Sequence, residues 1–468
     1  MSDFWLTLSK SFIFWLTWII IPIIMEIIPA IVGFFVLLAK KRKGKVEDVK
    51  GRLPELTIIV PVYNSHETLF GCIQSIDESE YPSELIEVYM VNNKSPDNSF
   101  EIFTQAQDAF PELSMQWLNA KQGKSKALNM ALFNARGKYI IHIDSDGTLE
   151  KHALYNMVKR FENDHNIHCM TGAILINPDD IERSKSSLLK FFRRSEFFEY
   201  AQAFLAGRNY QSELDSIFTL SGAFSAFRKS TILKTQLYNT DTVGEDTQIT
   251  FQIKKQLKQK VYMCEDALFF VDPIEDFNKI YTQRQRWQRG ELEVFHMFFK
   301  DNMSITKGFF SNFMIRLIVF DHTFAFPRMI WYFALICLLF MNYPMKLVFG
   351  SIGIIYVLYI FTSFLYYLNI LTFLRDFKDI RKYYASKWYL CIVLPLYNFL
   401  MFWVRFAGII NSINSDGMWK TKNLHEERRT FSDIVKNDFY FITKVVTRLK
   451  EKINNRESDE EVTNKEKS

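Results

Sequence analysis

Residues 11–39 form an apolar stretch of about 29 residues in which Glu26 is the one charged side chain, and this constrains the fold before anything else does. Such a run is longer than the ~15 residues of a signal-peptide core and lacks a small-residue cleavage site. It is expected to be a retained transmembrane helix, kinked where Pro22, Glu26 and Pro29 interrupt it. Glu26 should then face protein rather than lipid, as a functional carboxylate or as a structural partner within a helix bundle. Lys40, Lys41, Arg42, Lys43 and Lys45 follow at once, a basic cluster that places the next segment on the cytosolic side.

Three further apolar runs, 327–341, 347–373 and 388–410, read as spans, with Arg375, Lys378, Arg381 and Lys382 marking a cytosolic loop. Three such crossings would carry the basic tail after Lys420 outside, against the charge rule. Either one segment is an interfacial or re-entrant helix, with 309–320 and its Arg316 as the candidate, or a further span lies near residue 310. Many of the 45 phenylalanines sit with Trp and Tyr in the two terminal regions, as expected where rings anchor at headgroups. From about Asn454 the chain is highly charged and almost without apolar residues, which predicts disorder.

The expected organisation is therefore a membrane helix with basic flank over 1–45, a soluble α/β domain over 51–302, interfacial and transmembrane helices over 303–412, and a basic segment and charged tail over 413–468. A net charge of +5, spread over 468 residues without an aromatic-laced basic stripe, argues against nucleic acid as a partner. Cys72, Cys169, Cys264, Cys337 and Cys391 are widely spaced and odd in number, so buried free thiols are expected rather than disulfides or a zinc site.

Within the central domain, residues 56–63 (L-T-I-I-V-P-V-Y) read as a buried strand that carries Pro61 and Tyr63 into Asn64, followed by an amphipathic helix over about 67–76. A second strand over 86–91 leads into N-N-K-S-P-D-N-S, where Asn98 or Ser99 would cap the next helix. In open α/β sheets, ligands bind beyond the carboxyl ends of such strands, so both turns point at one site. Gln122 and Gly123 introduce Lys124 at a helix start, either a diphosphate cradle or a solvated helix end.

The run Y-I-I-H-I-D-S-D-G delivers Asp144 and Asp146, at i and i+2 on one face, into a glycine turn. Two carboxylates so placed suit one hard cation, magnesium or manganese, although an isolated D-x-D also serves as a simple turn. Ser221 and Gly222 read as the end of an apolar strand. Gly244, Glu245 and Asp246 then open a helix, where Asp246 is either a cap or the general base that transfer to a hydroxyl requires. On a later helix Gln283, Arg286 and Trp287 share one face, an Arg suited to diphosphate and a Trp suited to a sugar ring. Arg284 and Arg289 would face outward, towards anionic lipid. Residues 188–208 form an amphipathic stretch for the membrane surface or for packing beside the acceptor site.

The order P-V-Y-N, G-K-S-K-A-L-N, D-S-D, S-G-A-F, G-E-D and Q-R-Q-R-W resembles the family 2 membrane glycosyltransferases, which include cellulose, hyaluronan and poly-N-acetylglucosamine synthases. The resemblance implies a GT-A fold, inversion at the anomeric carbon, a UDP-sugar donor, a polysaccharide or lipid-linked acceptor, and contact with membrane lipids. It implies donor contacts from Pro61, Tyr63, Asn64, Lys124 and Asp144, a cation on Asp144 and Asp146, and a base at Asp246. Glu245, Gln283, Arg286 and Trp287 would form the acceptor and diphosphate end. Length and tail are also compatible with the subset that accompanies exosortase-type systems of Gram-positive bacteria. M-W-K-T-K at 418–422 is similar to a basic Trp segment of the family. Asn92 and Asn93 depart from the family's acidic pair, and an amide there pairs with a base edge instead. Lys126 departs too, at a position commonly Gly.

Overall fold

The computed structural model describes residues 19–20, 22–42, 46–299, 334–335, 337–341 and 344–414. The expectations for residues 309–320, for most of 327–341, for the 418–422 segment and for the charged tail lie outside the described residues.

Eight strands, β1 (Leu56–Val62), β2 (Ile86–Asn92), β3 (Ser114–Asn119), β4 (Tyr139–Ile143), β5 (Gly147–Leu149), β6 (Cys169–Ile176), β7 (Phe224–Arg228) and β8 (Val261–Val271), form one sheet in the order β3-β2-β1-β4-β7-β6-β8-β5. β1 pairs in parallel with β2 and β4, and β7 runs antiparallel between β4 and β6. β1, β4 and β6 are buried along their whole length, which is why they read as unbroken apolar runs rather than alternating ones.

Helices cover the faces: α1 (Ile28–Arg42), α2 (Leu69–Asp77), α3 (Ser99–Ala109), α4 (Lys124–Asn134), α5 (Ala153–Asn163), α6 (Ser187–Tyr200), α7 (Glu245–Phe251) and α8 (Phe277–Phe299). In α2, Leu69, Cys72, Ile73 and Ile76 are buried at the i, i+3, i+4, i+7 spacing of a helix laid on a sheet. After α8 come α9 (Met345–Phe373), α10 (Lys378–Ser386) and α11 (Leu390–Asn414). One apolar core runs from the sheet through Phe197 and Phe198 of α6 to Tyr384, Leu390 and Leu394.

Three local expectations are corrected. The segment before Ser221 is not a strand: Leu220 N donates to Thr250 Oγ1 at 2.9 Å and Ser221 N to Thr171 Oγ1 at 3.1 Å, so side chains take the bonds that a neighbouring strand would supply. Pairing begins only at Phe224. Neither Asn98 nor Ser99 caps α3 with its side chain; Asp97 Oδ1 accepts from Ser99 N at 3.3 Å and Ser99 Oγ at 2.7 Å. Among the described cysteines, all are free and all but Cys337 are buried; Cys337 is exposed, against expectation.

The apolar N-terminal run is helical across its described residues 22–42, with a π-turn at Ile23–Ile27. Glu26 faces protein: its Oε1 accepts from the Tyr359 hydroxyl of α9 at 3.0 Å. At the other end of α1, Lys40 Nζ donates to Asn209 Oδ1 at 2.7 Å and pairs with Glu213 and Glu265 at 3.3 Å each, docking the helix on the α/β domain. Burial would raise the Glu265 carboxyl, but Arg160 and Lys40 together hold it at about 2. Ile24 in the π-turn and Ile28, Val32 and Phe35 on α1 form an exposed apolar stripe, and Met345, Phe349, Ile352 and Val357 are exposed on α9.

Among the described residues, one helix, Met345–Asp376, is long and apolar enough to cross a membrane. The pair Lys378–Ser386 and Leu390–Arg405, bent by 83°, adds a second if it is counted as one broken span.

Candidate active site

The sheet directions bring the ends of β1, β2, β4, β6 and β8 to one edge with the starts of β5 and β7. Asp144 N donates to Ala223 O at 3.1 Å, tying D-S-D to the S-G-A-F turn. Gly147 pairs with Val271, so Asp272 follows directly across from Asp146. A cavity of about 1140 Å³ opens on this edge, lined by Tyr63, Lys124, Asp144, Asp146, Glu245 and Asp246, and by Gln283, Arg286 and Trp287 of α8. Pro61, Asn64, Asn92 and Asn93 are not among its lining residues.

Those four residues build the loops beside the cavity. Pro61 is buried within β1, and Asn64, with φ +54°, donates its backbone N–H to Ser95 Oγ at 2.6 Å. Asn92 Oδ1 accepts from Ser95 N at 2.8 Å while its Nδ2 donates to Asn119 Oδ1 at 3.0 Å. Asn93 Oδ1 accepts from Gly123 N at 2.5 Å, which fastens the second loop to the turn that presents Lys124. Gly123 has φ +130°, a conformation a side chain would strain. Lys126 packs its stem beside Gly123 and lines the cavity.

Lys124 connects three motifs. Its Nζ lies 2.5 Å from Asp144 Oδ1, 3.3 Å from Gly222 O and 3.7 Å from Glu245 Oε1. Burial alone would lower its pKa, but Asp144, Glu245 and Asp246 lift it above the usual lysine range, so the ammonium stays charged. Burial raises the Glu245 carboxyl, against the pull of Lys124.

Asp146 is exposed to the cavity, yet protein surrounds that cavity closely enough to push its carboxyl up to about 6, burial first and the neighbouring charge of Asp144 second. A divalent cation between the two would remove that repulsion. Among the described residues no group of three or more His, Cys, Asp or Glu gathers as a metal cage. Asp144 and Asp146 thus offer two carboxylates, a donor set that fits a hard cation completing its shell with diphosphate oxygens and water.

Asp246 does not cap α7, whose N-cap position is Gly244, but stands in its first turn. Its Oδ1 accepts from Thr247 N at 2.7 Å at the start of α7, while Oδ2 lies 3.3 Å from where a Cβ on Gly222 would stand. α7 meets α8 through two glycines: a Cβ on Gly244 would come within 2.8 Å of Gly290 C and O, and one on Gly290 within 2.9 Å of Gly244 Cα. This contact puts Asp246 and Arg286 in one cavity. Gly290→Ala is expected to lower stability by about 1–3 kcal/mol and to reduce activity with it, measured by thermal unfolding and turnover.

On α8, Arg286 is exposed to the cavity and Trp287 is half-buried against Tyr200 and Phe204, with ring centres 6.4 and 5.9 Å away. Arg284 and Arg289 do not face outward as expected. Arg284 is 2% exposed and pairs with Glu199 at 2.7 Å, and Arg289 is buried and pairs with Glu293 at 2.8 Å, because α7 and α11 pack against α8 and Glu199 and Tyr200 at the end of α6 reach it. Sequence reasoning flagged the 188–208 stretch without assigning Tyr200 or Phe204 to the site. Asp272 belongs to no motif, and strand register alone reveals it.

Residues 57–234 match the family described as Glycosyl transferase family 2. The chain is 26% identical over 257 residues to the poly-beta-1,6-N-acetyl-D-glucosamine synthase of Staphylococcus aureus (strain COL), and 27% identical over 258 residues to that of Staphylococcus epidermidis. Each match covers 55% of this chain and 58% of the relative's length. The fold is similar to that of the mannosyltransferase PcManGT from Pyrobaculum calidifontis, solved in complex with GDP-Man and Mn2+. The TM-score is 0.53 and the identity 16%, over 79% of this chain and 95% of that one. Residues 57–234 thus match a family 2 glycosyl transferase domain, and the α/β fold that holds them is GT-A-like.

Proposed function

We propose that the protein is an inverting, metal-dependent glycosyltransferase that adds sugars from a UDP-sugar to a growing polysaccharide at a membrane. The observation that carries this reading is the extent of the cavity. From Asp144 and Asp146 it passes Trp287 and continues between the C-terminal helices to Tyr359, Ser363, Asn398 and Glu26. Aromatic, hydroxyl and amide groups along such a passage suit a sugar chain. The exposed apolar stripes on α1 and α9 supply the lipid-facing surface.

In this reading Tyr63 and the loops built by Pro61, Asn64, Asn92 and Asn93 hold the uridine. Asp144 and Asp146 would hold Mg2+ or Mn2+, which would supply positive charge against the departing diphosphate. Lys124 and Arg286 add positive charge at the same end. Trp287, with Gln283 and Glu245 nearby, supports the acceptor sugar. Asp246 takes the acceptor hydroxyl proton as the oxygen attacks the anomeric carbon. The new glycosidic bond forms as the sugar–phosphate bond breaks on the opposite face, and UDP leaves.

The name of the staphylococcal relatives makes UDP-N-acetylglucosamine the first donor to test. The protein in lipid nanodiscs with Mn2+ is expected to release UDP and to form products of many sugars, read by size-exclusion chromatography of radiolabelled product. Transfer of a single sugar to lipid would replace the polymer reading with single addition. No transfer from UDP-N-acetylglucosamine, UDP-glucose, UDP-glucuronate or UDP-galactose would overturn the proposal.

A further inference from the structure

A buried ion cluster beneath Trp287 has no part in the chemistry above. Glu199, near the end of α6, accepts from three donors. Arg284 Nη2 at 2.7 Å and the Tyr397 hydroxyl at 3.1 Å reach its Oε2, and Arg405 Nη2 at 2.9 Å reaches its Oε1. Arg284 belongs to α8, whereas Tyr397 and Arg405 belong to α11, so one carboxylate ties the site helix to the C-terminal apolar helix.

Arg284 also touches the site itself. Its guanidinium carbon lies 4.3 Å from the Trp287 ring centre and 5.5 Å from that of Tyr200. Phe204 meets the Trp287 ring edge-on at 89°. The indole is therefore wedged between a cation and two aromatic rings, while the residue lines the cavity. A guanidinium attracts the face of an indole and holds it in one plane. Removing an arginine from water is costly, and a buried ion pair seldom stabilises a fold better than apolar packing would. A buried Arg stacked on a cavity-lining Trp is better explained by orientation than by stability.

We propose that Arg284, held by Glu199 with Tyr397 and Arg405, is a positioning residue that sets the plane of Trp287 for the acceptor sugar, so that α11 helps to orient the acceptor platform. This rests on the reading of Trp287 as the acceptor platform. A platform tilted away from the sugar loses acceptor binding while the chemistry at Asp246 is untouched once acceptor is saturating.

The test uses the full chain in nanodiscs with UDP-N-acetylglucosamine and a β-1,6-linked N-acetylglucosamine trisaccharide as acceptor, following UDP release. Arg284→Ala is expected to raise the acceptor KM about tenfold with kcat changed less than about twofold. Arg284→Lys should fall between it and wild type, because it keeps the charge opposite Glu199 but not the planar stack. Tyr397→Phe should raise the acceptor KM by a smaller factor. If Trp287→Ala raises the acceptor KM and none of the three variants does, the proposal is overturned and the platform reading survives. If Trp287→Ala leaves the acceptor KM unchanged, the platform reading itself fails. Should Arg284→Ala not fold, wild-type acceptor KM in both Arg284→Lys and Tyr397→Phe overturns the proposal. A fall in kcat and melting temperature that accompanies the rise in acceptor KM in those two variants also overturns it, as the mark of a merely structural role.

Discussion

Asp246→Asn is expected to lower the rate of transfer about 1000-fold while leaving the fold and UDP-sugar binding close to wild type. Asn keeps the size of Asp, and its carbonyl Oδ1 can still accept from Thr247 N in the first turn of α7. It cannot take a proton from the acceptor hydroxyl. The loss should therefore fall on kcat, measured by UDP release, with the melting temperature and UDP affinity unchanged within error. Turnover near the wild-type rate in this variant would remove Asp246 from the mechanism.

The second large effect is expected at Asp146. Asp146→Asn should weaken Mn2+-dependent UDP binding about 100-fold by calorimetry, while wild type and variant bind UDP equally weakly in excess chelator. Equal affinity in Mn2+ would show that the cation rests elsewhere. The same substitution has an opposite effect on the metal-free fold. Burial and Asp144 hold the Asp146 carboxyl at about 6, above its unfolded value, so the native state binds the extra proton. Its contribution to stability is present below the ordinary carboxylate range and is lost as pH rises towards and through about 6. Asp146→Asn should flatten that dependence, in contrast to Asp144→Asn, which also strips Lys124 of its 2.5 Å partner.

Much of the site was legible because its motifs are short and chemically distinct. The β1 and β4 runs announce buried parallel strands, and strands of that kind deliver their following residues to one edge. Asp144 and Asp146 follow β4 directly and could be placed there without coordinates, whereas Lys124 and Asp246 could equally be plain helix-end residues until the cavity brought them together. The reading failed where a side chain's surroundings come from distant sequence. Arg284 looks like a surface arginine on a basic helix until Glu199 and Arg405, 85 and 121 positions away, arrive beside it. The S-G turn looked like a strand end because apolarity reports burial, and the Thr171 and Thr250 hydroxyls that satisfy the 220–221 backbone leave no trace of that role locally.

The amino-acid sequence by itself determined the α/β class, the order of the motifs and the identity of the charged groups, since period, turn chemistry and motif order are local properties of the chain. Only the tertiary structure decided which of those groups share a cavity, that Asp272 stands across from Asp146, and that Trp287 is clamped from the C-terminal helices. Those outcomes depend on strand register and helix docking, which arise from contacts between residues far apart along the chain.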